Sequence, residues 1–90
     1  DGVPLIALDA SLGMSAGKAA AQVGHASMLL AAARDTAWAY HWAESGYPLN
    51  VRELPSAEFA ALVVRPGAVV VRDAGFTEVA PGSKTAVAIA

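Results

Sequence analysis

A short apolar run, a glycine-bearing turn and a long alanine-rich stretch follow one another at the start of this chain, and that succession limits its fold most. Val3 to Leu8 is apolar at nearly every position and is bounded by Gly2 and the Asp9–Gly13 turn region. Such a run reads as a strand covered on both faces. Pro4 belongs at its start, where a missing N–H is tolerated. Ser15 to about Ala33 reads as the main helix, with Ser15 as N-cap and alanine filling the interior. Val23, Ala26, Leu30 and Ala33 recur at helical spacing and mark its core stripe. Gly24 lowers helix propensity, which implies a close neighbour at that point.

The remaining elements are shorter. Asp35 to Tyr40 opens a second helix ending near Ser45-Gly46, with Trp38 and Trp42 four residues apart and anchoring one face. Tyr47-Pro48 turns the chain, and Leu49 to Leu54 reads as a strand with Asn50 and Arg52 facing out. Pro55 to Leu62 reads as a brief helix with Ser56 as N-cap. Ala68 to Arg72 is β-branched and reads as a strand, and Lys84 to Ala90 as a last one. Strand, helix, helix, strand, helix, strand, strand is an α/β order with one mixed sheet.

Ninety residues make one domain, and apolar types at 56% against 16% charged exclude a disordered chain. The apolar share is rich in alanine, which favours close helix–sheet packing over a bulky core. Absence of cysteine excludes disulfides and thiolate chemistry. Two histidines, His25 and His41, stand at no ligand spacing, so no zinc site is expected. No stretch is long and apolar enough to span a bilayer. The start Asp-Gly-Val-Pro carries neither initiator Met nor basic leader, so residues 1–90 are expected to be a single domain cut from a longer, soluble, cytoplasmic chain. Six Lys and Arg against eight Asp and Glu give a net charge of −2, which counts against strong nucleic-acid binding.

Three groups of residues have chemistry to offer. Gly13-Met14-Ser15-Ala16-Gly17-Lys18 follows a strand and opens a helix, as a phosphate-binding loop does. The spacing between its glycines is one residue short, and Ala19 stands where the magnesium hydroxyl belongs. What remains is a lysine in the first turn of a helix. It is either a solvated side chain or part of an anion site, since the free N–H groups and dipole there favour negative charge. Lys18, Gln22 and His25 fall within an arc of about 60° on that helix. They form either an exposed polar face or a set of groups kept for hydrogen bonding or a site. Asp73-Ala74-Gly75-Phe76-Thr77 follows a strand, where α/β folds place ligand-binding groups, although an Asx-turn accounts for Asp73 equally. A Ser–His–Asp triad from Ser15 or Ser27 with His25 and Asp73 lacks a nucleophile elbow. Asp9 is the only candidate for a paired carboxylate.

Taken together, Leu12 to Ala26 and Asp73 to Thr85 resemble the type 2 peptidyl-tRNA hydrolase family, the archaeal and eukaryotic kind that some bacterial proteins share. The first block is similar to its GMxxGKxAAQxxHA pattern and the second to DAGxTxxxPGxxT. Trp42 to Val51 is similar to the family's W…G…V stretch. The resemblance implies a mixed four-stranded sheet with helices on both faces. It implies hydrolysis of the ester joining a peptide to the 3′ ribose of tRNA, without metal or other cofactor. Carried over by motif, the catalytic residues are Lys18, Gln22, Asp73 and Thr77, with Gly17, His25 and Gly75 at the substrate. The expected partner is tRNA, no membrane is implied, and a homodimer is compatible with the resemblance. The sequence departs from the family at Asp9-Ala10-Ser11-Leu12, where Arg-Thr-Asp-Leu is common, so an acid replaces a base useful for RNA.

Ester hydrolysis needs an activated water and a stabilised oxyanion. Asp73, aided by Thr77, suits the first role, Lys18 the second, and Gln22 a positioning one. Two rivals stand beside this reading. One is a non-catalytic RNA- or protein-binding module on the same fold, motivated by Asp9, Ser11 and the acidic balance. The other is ester or amide hydrolysis on a smaller substrate.

Overall fold

The computed structural model of the chain describes residues 2–74 and 79–90. Its elements run β1 (Leu5–Asp9), α1 (Ala16–Ala33), α2 (Thr36–Glu44), β2 (Asn50–Leu54), α3 (Ser56–Val63), β3 (Val69–Arg72) and β4 (Lys84–Ile89), with a single 3-10 turn at Ala10–Leu12. The strands form one four-stranded sheet in the order β2-β1-β4-β3. β1 is parallel to β2 and antiparallel to β4, and β4 is antiparallel to β3. The sheet is mixed, as the order of elements implied.

Burial follows position in the sheet. Ile6 to Leu8 in β1 and Thr85 to Ala88 in β4 are buried, because these two strands lie at the centre with cover on both faces. The cover differs in kind. Ile6, Leu8, Ala86 and Ala88 turn toward α1 and meet Ala26 and Leu30. Ala7 and Val87 turn the other way and meet Phe59 of α3. Two alanines of β4 and the larger Ile6 and Leu8 of β1 thus face the long helix, while one aromatic fills the opposite side. Helices cover both faces, as expected.

Local chemistry explains the helix starts. Ser15 adopts extended backbone angles and its hydroxyl accepts from the N–H of Lys18 at 3.1 Å. Asp35 does the same for Trp38 at 2.8 Å. Gly13, at φ 60°, takes the left-handed conformation that closes the 3-10 turn and redirects the chain into α1. The tryptophans hold α2 as their spacing predicted. Trp42 is buried, its rings lie 5.4 Å from Trp38 and 5.2 Å from Tyr47, and its indole N–H donates to the Pro48 carbonyl.

Four details differ from the sequence reading. The first strand begins at Leu5; Pro4 precedes it and lends only its carbonyl, which accepts from Asn50 N–H at 2.9 Å. The N-cap of α3 is Pro55, without a side-chain bond, and Ser56 is already helical. Ala33 is exposed, because α1 outruns the sheet there; the inward face of α1 is carried by Gln22, Ala26 and Leu30. Gly24 is exposed, and a Cβ built on it meets nothing within 4 Å. No neighbour demands a glycine at that position. Gly24→Ala is therefore expected to raise stability by about 0.5–1 kcal/mol, read as a higher urea midpoint with unchanged slope. A lower midpoint would contradict this account of the helix.

Candidate active site

The N-terminus of α1 and the ends of β3 and β4 meet at one end of the sheet. Lys18 is the third residue of α1, in the turn opened by Ser15. Asp73 follows β3 directly, and its backbone extends the ladder by one step: its N–H donates to Ser83 O at 2.9 Å and its carbonyl accepts from Gly82 N–H at 2.8 Å. That pairing turns the carboxylate toward the helix, where Asp73 Oδ1 accepts from Lys18 Nζ. The two side chains are only 10% and 5% exposed, so this is a largely desolvated ion pair rather than a surface contact. Lys18 is therefore not a solvated side chain: its ammonium meets the protein's own carboxylate.

Gln22 lies one turn on, and it is buried at 2% exposure. Its Oε1 accepts from Thr85 Oγ1 at 2.5 Å. The register explains why Thr85 is available. Val71 pairs with Ala86 but Arg72 pairs with Lys84, so the β3–β4 ladder shifts by one residue and Thr85 has no opposite number. Such a bulge re-aims a side chain, and here it brings a hydroxyl within reach of the helix. Thr85 is a site-lining residue that the sequence reading did not single out. Its signal was there: it is the one hydroxyl inside an otherwise apolar strand, and it ends the second of the two blocks.

The other expected residues fall as follows. Gly17 is exposed in the first turn of α1, with open space where a Cβ would stand. His25 is exposed, so it has left the buried row that Lys18 and Gln22 begin; it lines a shallow cleft with Met28, Leu29, Val71 and Arg72. Gly75 and Thr77 lie outside the described residues. Asp73 follows a strand, as expected, but β3 is an edge strand in which only Val71 is buried. α1 packing over the strand end buries Asp73, not strands on either side. Asp9 shields nothing at this pair: its Oδ1 accepts from the N–H and hydroxyl of Ser11 and caps the 3-10 turn.

An ammonium locked to a carboxylate beside a buried amide–hydroxyl pair is a compact polar set at the mouth of an apolar fold. Comparison with known proteins gives it a family. The family model for peptidyl-tRNA hydrolase PTH2 matches residues 4–90. This chain belongs to that family. It is 40% identical to a peptidyl-tRNA hydrolase of Pyrobaculum aerophilum over 93% of the chain and 79% of that protein. It is 32% identical to a peptidyl-tRNA hydrolase of Sulfurisphaera tokodaii over 94% of the chain and 81% of that protein. Both PTH2 relatives are archaeal.

Burial sets the stability of the pair. Removing one partner leaves the other charge uncompensated in a poorly hydrated place, at a cost of about 3–5 kcal/mol. Lys18→Met and Asp73→Leu are each expected to lower the unfolding free energy by that order, and the double variant by less than either alone. Urea titrations of the four proteins measure it; single losses that simply add would show that the two groups do not interact.

Proposed function

We propose that this PTH2 chain hydrolyses the ester between a peptide and the 3′ ribose of tRNA, and that Lys18, Gln22, Asp73 and Thr77 carry the reaction. The observation behind the proposal is the hydrogen-bonded ion pair between Lys18 and Asp73, residues 55 apart in sequence. Ester hydrolysis needs what this pair offers. A carboxylate orients a water and takes its proton as the oxygen attacks the carbonyl carbon. A cation beside it stabilises the negative charge that gathers on the carbonyl oxygen. When the tetrahedral species collapses, the C–O bond to the ribose breaks and the proton held by Asp73 passes to the leaving ribose oxygen. Proton, nucleophile and leaving group are then accounted for.

Gln22 suits a positioning role. With Oε1 taken by Thr85, its amide NH2 is oriented as a donor toward the carbonyl or the water. Thr77 joins the set by its place four residues beyond Asp73 in the second motif. Gly17 offers backbone without a side chain beside Lys18, which leaves room for substrate. No described helix is long and apolar enough to cross a membrane, and a substrate made during translation supports a cytoplasmic setting. The acidic residue that motivated a non-catalytic rival, Asp9, is used locally as a cap and does not disturb the pair.

Turnover of a peptidyl-tRNA tests this reading. Lys18→Ala is expected to lower kcat about 10²–10³-fold, the scale for removing an oxyanion donor. Asp73→Asn, which keeps the shape and removes the base, is expected to cost about 10²–10⁴-fold. Gly17→Ala is expected to leave folding intact and raise KM, because only substrate occupies the space its methyl would enter. Parent-like rates in both charge variants would end the proposal.

A further inference from the structure

The cleft lined by His25 lies on the α1 side of the sheet, the side on which Lys18 and Asp73 meet. His25, Met28 and Leu29 of α1 form one bank, Val71 and Arg72 of β3 the other. Strand geometry fixes its place relative to the ion pair. Val71 belongs to the buried cluster with Ala26 and Leu30, so it turns toward α1. The extra residue of the bulge, Thr85, is on β4, so β3 keeps its alternation. Asp73, two residues past Val71, therefore turns the same way and meets Lys18. The step from one to the other is about 7 Å at the rise of a strand. Two residues of the cleft are large, apolar and open to solvent: Met28 is 65% exposed and Leu29 43%. β3 is an edge strand with no described strand on its outer side, so none blocks the way from the carboxylate along the cleft.

We propose that this cleft takes the side chain of the amino acid esterified to the ribose, and that the enzyme consequently prefers peptides ending in a large apolar residue. The proposal rests on the hydrolase reading above and adds a selectivity to it. Size is the first argument. The cleft holds about 280 Å³, just below the range of sites for whole small molecules and suited to a single side chain. Distance is the second. With the ester carbonyl at Asp73, the side chain next to it has one short step to cover, which leucine or phenylalanine spans and glycine does not. Chemistry is the third. Met28, Leu29 and Val71 offer apolar surface, and a methionine adapts its shape to differently branched partners. Arg72 is exposed at the rim, so a lysine or arginine entering the cleft meets a like charge. A shallow cleft recovers part of the transfer free energy of a leucine side chain, which sets the expected preference over glycine at about tenfold in kcat/KM.

The test charges one tRNA in turn with N-acetylleucine, N-acetylphenylalanine, N-acetylglycine and N-acetyllysine, so that the nucleic acid stays constant. With the whole chain, leucine and phenylalanine esters are expected to turn over with kcat/KM about tenfold above glycine, and lysine at or below glycine. Met28→Gln and Leu29→Gln keep side-chain length and helix propensity but make the bank polar. Combined in one chain, they are expected to cut the leucine-to-glycine ratio to about twofold or less, with the urea midpoint close to that of the parent. A parent ratio near one, or a ratio that survives in the folded double variant, would overturn the assignment and leave the hydrolase reading standing. Failure to turn over any of the four esters would end that reading, and the role of the cleft with it. Sedimentation distinguishes another occupant: a parent dimer that the double variant turns monomeric would give this surface to a second copy and refute the proposal.

Discussion

Close approach of α1 to the central strands is the constraint on which the rest of this molecule depends. Ala26 and Leu30 of the helix share one buried cluster with Ile6, Leu8, Val71, Ala86 and Ala88 of the sheet. The same packing decides the chemistry, because Gln22 and Lys18 are one and two turns before Ala26 on the same helix. A larger residue at Ala86 or Ala88 would push the helix outward and carry both polar groups away from Asp73 and Thr85. Packing and the polar set are thus one structure.

The polar set gains its character from where water is excluded. A lysine and an aspartate in contact at a surface interact weakly. Here both side chains are nearly covered, and Coulomb attraction strengthens as the surroundings become less polarisable. The positive end of α1 adds to the attraction for the carboxylate. The bulge in the β3–β4 ladder supplies the remaining polar contact, since without it Thr85 would share the alternation of its strand and Gln22 would be buried without its partner. An irregularity in the sheet therefore satisfies the helix.

An acidic chain of the PTH2 family poses an electrostatic question, and the answer is local. Net charge acts at long range and is screened within about 8–10 Å of salt solution. What a substrate meets at close quarters is the arrangement of individual groups. Asp9, the departure that weighed most against RNA, is folded back on Ser11, while Arg72 and Lys84 stand in register next to Asp73 with their side chains exposed. Like charges opposite one another on paired strands cost stability, and the end of the sheet that carries the site is where this protein tolerates them.

Sequence alone was enough for every regular element. Apolar runs, the Ser15 cap, the paired tryptophans and the turn glycines act over a few residues, and local chemistry of that kind is written directly in the order of the chain. The two motif blocks named the family and pointed at Lys18, Gln22 and Asp73. Tertiary structure alone decided that β3 lies at an edge, that Gln22 faces inward while His25 and Ala33 do not, that Gly24 answers to no neighbour, and that Thr85 belongs with Gln22. The two contacts that make the polar set join residues 55 and 63 apart. Contacts at that range depend on strand order and on a one-residue shift in register, and a periodicity read along the chain carries information about neither.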